Sequence, residues 1–122
     1  MQRNHYFIIV KDMSRDSLGN FELMVLLSLL RLDDEAYGVS ICDEMQDRTG
    51  RDFAVASVYA ALERLEQKGF VSSRLGEATP ERGGRAKRYF AVTKLGLREV
   101  RDVQRSLTKL WQGLPQLRGQ KA

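Results

Sequence analysis

The sequence predicts a mainly α-helical fold that contains one small β-hairpin and ends in a long C-terminal helix. Three observations support this prediction. Three segments in the first half carry apolar residues at helical spacing. Two short apolar runs around a glycine-rich stretch then predict a hairpin, and a seven-residue apolar repeat predicts the last helix. With 122 residues, 30% of them charged, the chain has the length of one domain.

The N-terminal part divides into an extension and a first helix. Residues 1–13 precede a helix start and are predicted to form an extension whose role stays open. Within it, the apolar run 6–10 is equally compatible with a short strand or helix that packs on the domain. The first helix is placed at about 18–31. Because it is apolar on nearly every side, we expect it to lie at the centre of the domain.

The second helix is predicted to begin at the acidic residues 33–35, whose carboxylates favour the positive N-terminal end of a helix. Gly50 is a suitable end for it. Apolar residues recur on one face, and they read as core rather than as a cofactor site. The predicted core residues of this helix are Tyr37, Val39, Ile41 and Met45.

The third helix is predicted over about 55–68, and Gly69 closes it. Ala54 precedes it and carries no capping side chain, a loss that typically costs about 1 kcal/mol. The core face consists of Val58, Ala61, Leu62 and Leu65. The side chains that point away from the core are Ser57, Tyr59, Ala60, Arg64 and Lys68.

A hairpin follows the third helix. Residues 70–75 and 87–92 have the spacing of two strands, and the intervening residues 76–86 contain three glycines and one proline. Four basic residues and no acidic one occupy positions 82–88, namely Arg82, Arg85, Lys87 and Arg88. The sequence therefore predicts a two-stranded hairpin with a long, basic tip.

The last helix is predicted over 93–112. Its apolar residues alternate between spacings of three and four, which is the pattern of a helix–helix seam; they are Val100, Val103, Leu107 and Leu110. Gly113 and Pro115 end the regular helix, because an interior proline costs about 3 kcal/mol. Residues 113–122 form a C-terminal tail, which is polar after Leu117. The seam predicts a dimer interface, and the alternative is that this face folds back onto its own domain.

Composition excludes most kinds of enzyme. Cys42 is the single cysteine and His5 the single histidine, so one chain cannot assemble a disulfide, a zinc site or a Cys–His pair. Residues 83–84 are followed by a strand rather than by the helix that a phosphate loop needs. We expect no catalytic site, no cofactor and no metal, and Cys42 is expected to be a buried core residue. The apolar runs are shorter than the roughly 18 residues of a membrane span, so a cytoplasmic protein without membrane association is expected.

Charge points to a polyanionic partner. The net charge is +4, yet residues 1–52 carry six basic and ten acidic side chains, whereas residues 53–122 carry fourteen and six. Such asymmetry attracts a polyanion to one part of the molecule and repels it from the other.

Three helices followed by a basic hairpin is the order of a winged helix-turn-helix domain, which we assign to residues 14–92. The small side chains of the third helix suit close approach to the major groove of double-stranded DNA, and Tyr59 and Arg64 can reach the flanking phosphates. The predicted DNA-binding residues are Ser57, Tyr59, Ala60, Arg64 and Lys68 of the third helix and Arg82, Arg85, Lys87 and Arg88 of the hairpin.

Five segments of the chain form a characteristic set of motifs. They are Tyr37-Gly38, the run Ser-Val-Tyr-Ala-Ala-Leu-Glu-Arg-Leu-Glu at 57–66, Lys-Gly-Phe-Val at 68–71, Gly-Gly-Arg-Ala-Lys-Arg-Tyr-Phe at 83–90, and Val-Thr-Lys-Leu-Gly at 92–96. Over about residues 18–110 the chain therefore resembles the PadR family of bacterial transcriptional regulators. The resemblance implies a homodimer joined by the C-terminal helix and, as in the short branch of the family, partly by the first helix. It also implies that Tyr59 and the basic hairpin, which is the wing of such domains and here carries Arg85, Lys87 and Arg88, are directed at DNA.

The resemblance further implies a small aromatic or hydrophobic effector. Some relatives hold one between the C-terminal helices, and Trp111 is the candidate residue, although Leu107 occupies the position where relatives place an aromatic side chain. The sequence thus predicts a repressor that binds a palindromic operator as a homodimer. The alternative is a winged-helix module that docks a protein or serves as a dimeric scaffold without specific DNA binding.

Overall fold

The computed structural model describes residues 18–77 and 86–118. Its elements, in chain order, are α1 (Asn20–Leu32), a 3-10 turn (Asp33–Glu35), α2 (Gly38–Thr49), α3 (Val55–Gln67), β1 (Val71–Leu75), β2 (Arg88–Val92), α4 (Lys94–Trp111) and a second 3-10 turn (Pro115–Leu117). The predicted fold class, mainly helical with a hairpin and a long last helix, is confirmed.

Helices α1, α2 and α3 pack around the core. Each contributes one apolar stripe, and the largest fully buried side chains are Val25, Leu26, Ile41, Met45, Val58, Leu62 and Leu65. Cys42 is buried as predicted, and its thiol donates to the carbonyl oxygen of Phe53 at 3.2 Å. Burial raises the pKa of this thiol, with a smaller contribution from the neighbouring Asp43 carboxylate. Cys42 is therefore a core residue rather than a reactive one.

Strands β1 and β2 form an antiparallel pair in which Val71 lies opposite Val92 and Leu75 lies opposite Arg88. The segment before α2 adds to this sheet, because the Phe90 N–H donates to the Ala36 carbonyl oxygen at 2.8 Å. This extended segment ties the base of the hairpin to the start of α2.

The second helix starts later than the sequence predicted. Residues 33–35 form a 3-10 turn instead of its first turn, and α2 begins at Gly38 because Ala36 and Tyr37 are extended against the hairpin. Val39 is 48% exposed, so its assignment to the core was wrong. Gly50 ends the helix with φ of 70°, as predicted from its tolerance of the left-handed region.

Helix α1 is buried on one side only, contrary to the central position expected from its composition. Its Leu27 and Leu30 remain 44% and 43% exposed in the single chain. An apolar helix can leave such residues at the surface when another surface covers them in an assembly. None of the helices within residues 18–77 and 86–118 has both the length and the apolarity to cross a bilayer.

Helix α4 is anchored at its start. The Thr93 hydroxyl accepts a hydrogen bond from the Gly96 N–H at 3.0 Å and donates to the Gly69 carbonyl at 2.7 Å. A Cβ at Gly96 would overlap the carbonyl oxygen of Phe70, so the helix passes directly against that peptide. The regular helix ends at Trp111, close to the predicted end at Gln112.

Candidate nucleic-acid interface

Helix α3 presents the small side chains that sequence analysis placed away from the core. Ser57 and Ala60 are exposed, and Tyr59 is 46% exposed, because the helical period turns these positions away from the buried stripe. Ala54 makes no side-chain cap, as expected from its sequence. The Ala54 carbonyl oxygen closes the first turn by accepting two hydrogen bonds, from the Ser57 N–H at 3.0 Å and from the Val58 N–H at 3.2 Å.

Tyr59 lies across the first residue of α2. A Cβ at Gly38 would overlap the Tyr59 ring at its Cζ atom, so the ring occupies the space that a side chain would fill. Gly38 itself is buried. The tyrosine of α3 therefore contacts the N-terminal end of α2, where backbone N–H groups carry partial positive charge.

The base of the hairpin also contacts the start of α2, at Tyr37, the residue before Gly38. The Lys87 Nζ atom lies 3.8 Å from the centroid of the Tyr37 ring. The Tyr37 ring meets the Tyr89 ring edge-on at a centroid distance of 5.7 Å, and the Arg74 guanidinium stacks over Tyr89 at 4.8 Å. These cation–π and aromatic contacts fix two basic side chains beside α2.

Arg64 and Lys68 are held on the opposite side of α3 by a carboxylate of α1. Glu22 is 5% exposed, and its two oxygens accept hydrogen bonds from Arg64 Nε and Lys68 Nζ, both at 2.9 Å. The Gly19 N–H also donates to it, at 3.0 Å. Burial raises the pKa of Glu22, but these three donors outweigh burial and hold the pKa below its ordinary value of 4.5.

The predicted basic residues therefore differ in their exposure and in their partners. Lys68 is only 18% exposed, which differs from the expectation that its side chain points away from the core. Arg88 donates to the Ser73 hydroxyl at 3.0 Å across the hairpin, and that hydroxyl donates to Glu66 at 2.8 Å. Arg82 and Arg85 lie outside the described residues. Tyr59 and Lys87 are brought together around residues 37–38, whereas Arg64 and Lys68 are not part of that cluster.

A groove lies between α1 and α4, away from these contacts. Its volume is about 560 Å³, and it is lined by Leu23, Leu27, Val100, Val103, Gln104, Leu107, Thr108, Trp111 and Gln112. The residues of the predicted seam differ in their burial. Val100 is 8% exposed and belongs to the core of its own chain, whereas Leu107 is 41%, Leu110 is 74% and Trp111 is 61% exposed. The first half of α4 thus folds back on its domain, and the second half leaves an apolar surface.

Comparison with known proteins identifies the family. Residues 26–102 match the family model described as the Transcriptional regulator PadR-like family. The chain belongs to this family. PadR-like proteins are transcriptional regulators and not enzymes, and they bind DNA. This agrees with the motifs quoted above.

Solved PadR-like structures share the fold. A PadR family transcriptional regulator from Eggerthella lenta is 26% identical, with a TM-score of 0.63 over 96% of this chain and 98% of that one. A PadR-like transcription factor from Bacteroides fragilis is 23% identical, with a TM-score of 0.66 over 83% and 90% of the two chains. An uncharacterized protein of Lysinibacillus sphaericus is 31% identical over 86 residues, which are 69% of this chain and 76% of that protein.

Several contacts of this cluster were not predicted from the sequence. Tyr37 and Gly38 were noticed as a family motif, but their contacts with Lys87 and Tyr59 were not predicted. Glu22 was not singled out, although one signal was available, since it is a lone carboxylate in a helix that is otherwise apolar over 21–27. A charge at such a position is retained when partners satisfy it.

Proposed function

We propose that this PadR-like regulator binds a palindromic operator in double-stranded DNA as a homodimer and acts as a repressor. Helix α3 enters the major groove, and the hairpin, as the wing, follows the backbone or the minor groove. Repression is the simplest outcome, because a dimer bound across a promoter excludes other proteins from it. The single observation that carries the proposal is the joint placement of Tyr59 and the wing base at residues 37–38.

The contacts around α3 support this mode of binding. Ser57 and Ala60 are short enough to let the helix backbone approach base edges. Tyr59 and Arg64 lie on its two flanks, where phosphates on either side of the groove would pass. The uncapped first turn at Ala54 leaves N–H donors that a phosphate can satisfy. On the wing we assign DNA contacts to Lys87 and Arg88 and, from sequence alone, to Arg82 and Arg85.

The apolar surface of α4 supports a homodimer. Val103, Leu107 and Leu110 supply the proposed seam, with Val100 at its inner edge, and the exposed leucines of α1 extend it. A two-fold dimer of winged domains reads two half-sites about 34 to 36 Å apart, so the operator is expected to be palindromic. The groove of about 560 Å³ has the size and apolar lining of a small-molecule site. We therefore propose a small aromatic or hydrophobic effector there, in contact with Trp111.

The test measures binding to duplex DNA from upstream of the protein's own gene, with a random duplex of equal length as competitor. Fluorescence anisotropy across about 50 to 200 mM salt gives both affinity and salt slope. Competitor-resistant binding with a steep slope is the expected result. If the random duplex abolishes the binding, DNA selected from a random pool is tested next. If no selected duplex binds tightly either, a protein-docking module is favoured instead.

Two substitutions test the assigned surface. Tyr59→Ala is expected to weaken operator binding by about tenfold, through the loss of one well-placed contact. Arg85→Ala is expected to reduce the salt slope by about 0.9. Both variants keep the dimer, as measured by sedimentation. Arg101→Ala, which removes the same charge from α4, is the control and leaves binding close to that of the unmodified protein; unchanged affinity in both test variants would remove α3 and the wing as the binding surface.

A further inference from the structure

Glu22 joins α1 to the basic side of α3. It is a nearly buried carboxylate whose oxygens each contact one cation, Arg64 or Lys68, at 2.9 Å. Arg64 belongs to α3 and Lys68 is the residue that caps its C-terminal end. One anion of α1 therefore pairs with two of the positive charges that α3 and its C-terminal cap would bring to DNA.

The two cations are held in different ways. Arg64 uses its Nε atom for the ion pair, and its side chain remains 51% exposed, so its outer N–H donors are not needed by Glu22. A guanidinium held at Nε has fewer rotamers to lose when those outer donors bind a phosphate. Lys68, in contrast, is 18% exposed, and its ammonium group is turned towards α1.

We propose that Glu22 is a positioning residue for DNA binding: it presents the outer side of the Arg64 guanidinium to a phosphate and keeps Lys68 off the duplex. This inference rests on the proposed function, because it concerns how α3 meets DNA. Withholding Lys68 lowers the sequence-independent part of the affinity, and contacts to bases then decide a larger share of it. Glu22 in this way raises the preference for the operator over random DNA.

The arrangement also links two surfaces of the molecule. Leu23 and Leu27 lie on the same helix as Glu22 and line the groove towards α4. The ion pairs of Glu22 therefore fix α3 to the helix that carries part of the proposed dimer surface.

The first test compares the two cations without altering Glu22. Each phosphate that a cation neutralises adds about 0.9 to the slope of log affinity against log salt. Arg64→Met is expected to reduce that slope by about 0.9 on a random duplex, whereas Lys68→Met is expected to leave it unchanged. A reduction of the same size in both variants, or in Lys68→Met alone, would overturn the proposal.

The second test removes the charge of Glu22. Glu22→Gln removes the Glu22 charge from beside Lys68, so the slope on a random duplex is expected to rise, by at most about 0.9, and the operator-to-random affinity ratio to fall several-fold. Glu44→Gln is the matched control, since it breaks an ion pair of the same 2.9 Å length with Arg48 on α2 and changes the net charge equally. The double variant Glu22→Gln/Lys68→Met is expected to return to the slope of the unmodified protein.

The outcomes separate the inference from the proposed function. Thermal unfolding first establishes that each variant is folded. If Glu22→Gln does not fold, the comparison of Arg64→Met with Lys68→Met still tests the proposal. If the unmodified protein does not prefer any operator over random DNA, the proposed function fails. If it does, but Glu22→Gln behaves as Glu44→Gln does, then Glu22 has a structural role only and the inference fails while the function stands.

Discussion

Gly38 shows how one residue of α2 controls the position of a side chain on α3. The Tyr59 ring occupies the space that a Cβ at Gly38 would need, and the atoms it would meet are at the far end of the tyrosine. A tyrosine can turn about its χ1 bond to another rotamer, so a larger residue at position 38 displaces the ring without disrupting the core. Gly38 thus matters for where Tyr59 points.

We therefore expect Gly38→Ala to reduce operator affinity about as much as Tyr59→Ala does, while the free energy of unfolding changes by less than about 1 kcal/mol. Anisotropy titrations and urea unfolding measure the two quantities. The double variant Gly38→Ala/Tyr59→Ala is the control, because two changes that act through the same ring are not additive. Full additivity, or a single Gly38→Ala variant that binds normally, would show that the ring position is irrelevant to binding.

Residues could be predicted where periodicity alone decides their environment. Ser57, Tyr59 and Ala60 were assigned to the exposed side of α3 from helical spacing, and the structure agrees. Lys68 lies at the edge of the same helix, where its surroundings depend on α1, which is 46 residues away in the chain at Glu22. Spacing within one helix carries no information about such a partner, so the ion pair could not be predicted.

At the scale of elements, the types and order of the helices and strands followed from the sequence, but one boundary did not. The acidic residues 33–35 have good N-terminal chemistry for a helix, yet they form a 3-10 turn. Tertiary pairing decides this case, because the Phe90 N–H bonds to Ala36 and keeps the next residues extended. Hydrogen bonds to a distant strand overrode the local preference.

Helix α4 depends on its contact with the loop that precedes β1. A Cβ at Gly96 would overlap the Phe70 carbonyl oxygen, which is a backbone atom and cannot turn away. Gly96→Ala is therefore expected to destabilise the protein by about 1 to 3 kcal/mol through overpacking. Thr93→Ala removes the cap of the same helix and is expected to cost about 1 kcal/mol. We therefore expect Gly96→Ala to lower the free energy of unfolding at least as much as Thr93→Ala does. Urea unfolding of both variants measures this, and a Gly96→Ala variant more stable than Thr93→Ala would contradict it.

At the scale of the whole molecule, we expect the basic excess to serve DNA binding and the exposed apolar surface to serve the dimer. The basic excess lies in residues 53–122, which include α3 and the wing. Two exposed leucines, Leu27 of α1 and Leu107 in the second half of α4, line the groove. The heptad spacing predicted an apolar face on α4, but not that Val100 would be covered by its own chain, because the spacing is the same for both kinds of burial.

A charge in the proposed seam tests the dimer. Leu107 is 41% exposed in the single chain, so Leu107→Lys leaves the monomer folded but places an unpaired charge inside the dimer interface. Breaking an interface in this way costs about 3 to 5 kcal/mol, which raises the dimer dissociation constant at least about 100-fold. Sedimentation at micromolar concentration is expected to find monomers.

Leu95→Lys is the matched control for this experiment. Leu95 lies on the same helix and is 43% exposed, but its side chain is beside Gly69 and does not line the groove. Its variant is expected to remain dimeric and to bind the operator. Because a monomer reads one half-site instead of two, Leu107→Lys is also expected to lose most operator affinity while keeping its affinity for random DNA. A Leu107→Lys dimer of unchanged stability would place the interface on another surface of the molecule.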